Sequence, residues 1–221
     1  MVHSTMTAIG PEALSLKLNM RRLWSDHVIW TRVYIMDSTA GKADPIAALP
    51  SAVRTPAGEQ VPAGVFEAVG PVLGETDAAA GRLLKNQEDL GNAIVPYYGD
   101  DAGRRLTSLL KEHIMIAVDL IKAAKTGDKA EFGKYDAKWT ANAREIAKLL
   151  NGANPEHWAL KDVTDLLMQH LNLTKEEVTA RLKQDWAGDI DAFDQIFTEI
   201  LTVSDVLSDG IIAQFPEKFR R

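Results

Sequence analysis

Cysteine is missing from this chain altogether. Its absence excludes disulfides, thiolate nucleophiles, iron–sulfur clusters and cysteine zinc sites. Long apolar runs are missing too. The first hydrophobic stretch is broken by Arg21, Arg22, Asp26, Arg32 and Asp37, and no other stretch would span a bilayer. Positive charge is in deficit: 25 lysines and arginines face 31 aspartates and glutamates, a net charge of −6. That balance lacks the basic face of a general nucleic-acid binder and does not suit an anionic membrane surface. The opening residues, MVHSTMTAIGPEAL, show no basic segment followed by an apolar one, so no signal peptide is expected and the cytoplasm is the expected location. No G-x-S-x-G elbow, P-loop or G-x-G-x-x-G cradle occurs.

What the chain does contain is helical periodicity. With 221 residues, 46% hydrophobic and 25% charged, it can bury a core without staples. Leu16, Met20, Leu23, His27, Thr31 and Tyr34 step by three or four residues, one face of a first helix opened by Pro11. A second face runs through Leu83, Leu84, Gln87, Leu90 and Ile94, with the PYYGDD segment as a connection. A third holds Leu106, Leu109, Leu110, His113, Ala117 and Leu120 and stops at Gly127. Asp128 and Glu131 have the spacing of a capping box for a fourth, striped by Phe132, Trp139, Asn142, Ile146 and Leu150. A short helix carries Val163, Leu166, Leu167 and His170. Thr174 and Glu177 resemble a further capping box, opening a long last helix striped by Val178, Leu182, Trp186, Ile190, Phe193, Phe197, Ile200 and Ser204. No strand-like alternation competes with these periods.

The expected fold is therefore all-α: an antiparallel up-down helical bundle of about six helices, read as a single domain over 1–221. Residues 41–76 stand out as an irregular insertion, rich in proline (45, 50, 56, 62, 71) and glycine, with at most a short helix near 64–69. The C-terminal stretch SDGIIAQFPEKFRR carries apolar residues that must dock on the bundle or on a second chain, which makes a homodimer a candidate assembly.

Nearly every inner stripe carries a polar residue: His27 and Thr31, Gln87, His113, Asn142, His170. A buried polar group without a partner costs about 1–3 kcal/mol, so scattering them would consume much of a typical stability. Gathering them lets them satisfy one another or a ligand. His27, Thr31, Gln87, His113, Asn142 and Arg32 are the candidate ligand-binding residues. His27, His113, His170 and Asp205 are the candidate metal ligands, with Asp26, Glu112 and Asp194 as further carboxylates. A metal ion or haem is the candidate cofactor, although no H-x-x-x-H, H-E-x-x-H or E-x-x-H spacing is present. Arg32 is expected to neutralise Asp26 or another buried acid, or to clamp an anion. Asp189-x-Asp191 matches the D-x-D of metal-dependent sugar transferases but lies inside a helix, without the α/β pattern those enzymes need. The tryptophans read first as core fillers.

The stretches HVIWTR, NQEDLGNAIVPYYG, LLKEHIMIAV, TANAREIA with NPEHW, and SDGIIAQFPEKF, in this order, resemble a set of bacterial helical proteins, mostly from Bacillus-like and actinobacterial genomes. Names such as glycosyltransferase or acetylglutamate kinase are attached to members automatically. The resemblance implies an all-helical fold and no catalytic assignment. The residues thus lead to a soluble bundle holding a small ligand in an interior polar pocket. A structural or interaction protein, whose interior polar residues only fix helix register, is the alternative.

Overall fold

A computed structural model of the protein describes residues 9–40 and 75–220. The expected insertion at 41–76, apart from its last two residues, lies outside the described residues. These form five helices and one turn of 3₁₀ helix, with no strand among them: α1 (Pro11–Thr39), α2 (Glu75–Thr126), α3 (Lys129–Ala153), α4 (Leu160–Leu182) and α5 (Trp186–Gln214), then Pro216–Lys218. The all-α fold is as expected. α2 holds two arms that fold back on each other, and the differences from the expected boundaries fall at two chain reversals.

The first is inside α2. Gly99 leaves the helix with φ 81° and ψ 170°, a conformation open to glycine and costly for other residues. The chain folds back there, so Lys111 reaches Glu88 at 2.6 Å across the two arms. The arms pack tightly enough that a Cβ on Gly91 would lie 1.9 Å from the Thr107 hydroxyl. The expected PYYGDD connection is thus a reversal at one glycine rather than a loop.

The second corrects the expected start of the last helix. α4 runs unbroken through Thr174 and Glu177. Thr174 Oγ1 donates to the His170 carbonyl inside the helix and Glu177 pairs with Arg32, so neither caps anything. The break comes at Lys183–Asp185, where Gln184 takes φ 60° and the Asp185 carboxylate accepts from the Gly188 N–H as N-cap of α5. The Asp128 cap is confirmed: its carboxylate accepts from the N–H groups of Ala130 and Glu131.

Neighbouring rods alternate in direction. Lys17–Asp209, Arg21–Asp205 and Arg32–Asp189 zip α1 antiparallel to α5. Arg181–Asp189 and His170–Glu199 do the same for α4 and α5, and Lys175 Nζ bonds Asp136 at 2.8 Å between α4 and α3. α1, the arms of α2, α3, α4 and α5 close into a ring, with α1 back beside α5. At one end Ile35, Ile121 and Val178 form a small cluster. At the other, Phe215 and Phe219 stack on Tyr97 at centroid distances of 5.8 Å each. The C-terminal apolar residues are therefore spent on the bundle's own corner, and Tyr98 donates to Gln214 at 2.6 Å to hold it.

Candidate functional site

Three imidazoles meet in the middle of the ring. His27 from α1, His113 from the second arm of α2 and His170 from α4 are 3%, 4% and 5% exposed. The His170 ring lies 5.7 Å from that of His27 and 6.5 Å from that of His113, centroid to centroid. Helical phase places each on the inner stripe, and the alternating directions bring the three to the same height.

Each Nδ1 is held by a side chain from another rod. Gln87 Nε2 lies 3.2 Å from His27 Nδ1 and also donates to the Leu83 carbonyl at 2.8 Å. The amide nitrogen therefore faces His27, whose Nδ1 accepts and whose proton sits on Nε2. Asn142 donates through Nδ2 to the Leu109 carbonyl, which turns its Oδ1 to His113 Nδ1 at 2.9 Å. That nitrogen donates, so His113 Nε2 carries the lone pair. His170 Nδ1 donates to Glu199 Oε2 at 3.0 Å. Asn86 braces the layer, donating to the Leu23 carbonyl at 2.9 Å.

Burial disfavours the charged form of two of these rings, His27 and His113. Desolvation, then the neighbouring His170, pulls His113 down to about 3. Desolvation, then His170 and His113, holds His27 well below the usual imidazole range. Several hydrogen-bonding atoms of the layer nonetheless have no partner: Gln87 Oε1, Glu199 Oε1, and the indole N–H groups of Trp24 and Trp139. The two indoles pack against His27 and His113 at 5.7 and 5.0 Å.

One turn away along the same rods is an apolar cavity. Trp24, Leu90, Ile146, Leu167 and Val203 line it, each three or four residues from His27, Gln87, Asn142, His170 and Glu199 respectively. About 20 Å³ of it can hold the centre of a water molecule. A haem is far larger than this space.

The remaining expected site residues lie elsewhere. Thr31 Oγ1 donates to the His27 carbonyl at 2.7 Å and is tied to its own helix. Asp205 sits on the outer seam of α1 and α5, bonded to Arg21 at 2.9 and 2.5 Å, and that bond holds its carboxyl below the usual range. Arg32 neutralises buried acids, as expected, but they are Glu177 at 2.7 Å and Asp189 at 3.0 Å. Arg181 completes the group at 3.1 Å from Asp189, and Arg32 is left without a free fork for an anion. Asp26 pairs instead with Arg82 at 3.1 Å. Burial pushes the Glu177 carboxyl up to about 7 against the pull of Arg32.

Glu199, Asp189 and Asn86 escape sequence reasoning. Carrying the stripe of α4 straight through the break puts Trp186 and Ile190 inside. They are 53% and 55% exposed, while Asp189, Ala192, Ile196 and Glu199 are buried. Asp185 was the signal, because a helix restarting at a new cap loses the phase of the one before it.

Fold and site together define a helical bundle with an interior layer of buried imidazoles beside an apolar cavity. The chain matches no family model, no curated protein and no solved structure. Among the described residues no group of three or more histidines, aspartates or glutamates is disposed to hold a metal ion, and no helix is long and apolar enough to cross a membrane.

Proposed function

We propose that the protein binds a small organic molecule inside the bundle, with its apolar part in the cavity and its polar head against the imidazole layer. One observation carries the reading: of the eight unpartnered buried side-chain atoms among the described residues, four (Gln87 Oε1, Glu199 Oε1, Trp24 Nε1 and Trp139 Nε1) belong to residues that touch the three histidines. Natural interiors leave few such atoms unmet, so their concentration in one place marks capacity held for a guest. A ligand pocket of this kind combines an apolar wall with a few convergent polar groups.

A second reading is supported by the Nδ1 bonds. Each of them joins two rods and so fixes register, which needs no ligand. The two separate cleanly. Indole N–H resonances of Trp24 and Trp139 are followed while 1-propanol is added. A saturable shift confined to those signals and that of Trp158, which also lines the cavity, abolished in His27→Leu/His113→Leu protein that still folds, supports interior binding. A change in melting temperature on the same substitutions, with no saturable shift in either protein, refutes it in favour of register.

A further inference from the structure

Outside the imidazole layer, between α4 and α5, an open groove leads to Glu199. Leu166, Gln169, Asp194, Gln195 and two threonines form its walls, and about 390 Å³ of it is open to water. Leu166 also lines the interior cavity, so the groove and the chamber share a wall residue. Glu199 is likewise shared: it lines the groove, while its Oε2 accepts from His170.

The charges of this route run one way. Asp194 and Glu199 are its ionisable residues, and no lysine or arginine is among its walls. Glu199 is 5% exposed, and His170 is its one hydrogen-bond partner among the described residues. Its other oxygen, Oε1, is buried and has no partner. A carboxylate in such a place is costly unless a cation and further hydrogen bonds compensate it. The other buried acids, Glu177 and Asp189, have that compensation from Arg32 and Arg181. Glu199 is built without an arginine, at the floor of an acidic groove, next to an apolar chamber.

Resting on the interior-binding reading, we propose that the α4–α5 groove is the way in and that the ligand is a small alkylammonium. Its cation sits between Glu199 Oε1 and the acidic groove, and its short chain passes Leu166 into the cavity. An ammonium offers three donors and no acceptor, which suits the unpartnered Oε1 of Glu199 and the Asp194 carboxylate on the groove wall. The chamber limits the chain, since room for one or two water-sized groups admits only a few carbons.

The test compares n-propylammonium, 1-propanol and propionate on the whole protein at pH 7, with the Trp24 and Trp158 indole signals as readout. Propylammonium is expected to bind at least tenfold tighter than propanol, and propionate not at all. Glu199→Gln, close in shape, should bring the amine to the level of the alcohol. Asp194→Asn, on the exposed wall, should reduce the preference in part without touching the interior. Leu166→Trp should weaken amine and alcohol alike. Equal binding of amine and alcohol overturns the proposal and leaves the interior reading standing, as does a preference that survives Glu199→Gln. Absence of saturable binding by all three overturns both.

Discussion

Acid should loosen this protein through its buried imidazoles, and the size of the effect follows from the layer itself. An imidazole in the unfolded chain titrates near 6.5, while His113 in the folded chain is held at about 3. Below pH 6.5 the unfolded state therefore takes up a proton that the folded state refuses, so stability falls as pH falls. Each pH unit is worth about 1.4 kcal/mol per group, so at pH 5 His113 alone costs about 2 kcal/mol. His27 is shifted in the same direction for the same cause, burial first, and adds to the loss. Glu177 works the other way. Its carboxyl is raised from 4.5 to about 7, so the folded state holds an extra proton between those values, and its contribution is complete below pH 4.5 and lost as pH rises through 7. Glu177 thus offsets part of the imidazole effect in the wild-type protein, so His113 has to be isolated by substitution. Urea unfolding at pH 7, 6 and 5, repeated on His113→Gln, isolates the imidazole. The stability difference between wild type and variant should move by about 2 kcal/mol against the wild type from pH 7 to 5. A difference that stays constant within about 0.5 kcal/mol across that range would show that His113 is not held neutral, and the burial argument for the layer would fail with it.

Two further perturbations probe the parts that set the layer in place. Arg32→Ala strands the buried Glu177 and leaves the buried Asp189 with Arg181 alone, and should cost about 3–5 kcal/mol in urea unfolding at pH 8. A loss under about 1 kcal/mol would mean that Arg181 alone compensates both acids. Asp185→Ala removes the cap that restarts α5 and should cost about 1 kcal/mol, whereas Trp186→Ser, at an exposed position, should cost little by the same measurement. Reversed magnitudes would place the end of the α4 stripe at Trp186 after all.

The helical class and the polar inner stripe could be read from spacing because both are local properties. His27, Gln87, His113, Asn142 and His170 each sit three or four residues from large apolar neighbours, and the structure buries all five. Spacing failed where the chain reverses. A helix carries its phase only as far as its last hydrogen-bonded turn. At Gln184 the backbone leaves that path, so the stripe extrapolated beyond it put Trp186 and Ile190 inside and hid Asp189 and Glu199. Asp205 and Arg32 show a related limit. Both lie near an apolar stripe, but only the rods packed against them decide that one meets Arg21 at the surface and the other meets Glu177 and Asp189 in the interior.

By itself, then, the order of residues determined which type of element forms and which side of most helices turns inward, since periodicity acts over a few turns of one rod. The packing of the rods decided the rest: that three imidazoles from α1, α2 and α4 come to one height, that Glu199 stands behind His170, and that a groove opens beside it. Those relations depend on where each rod starts and how far it slides along its neighbour, and contacts between residues distant in the chain set both.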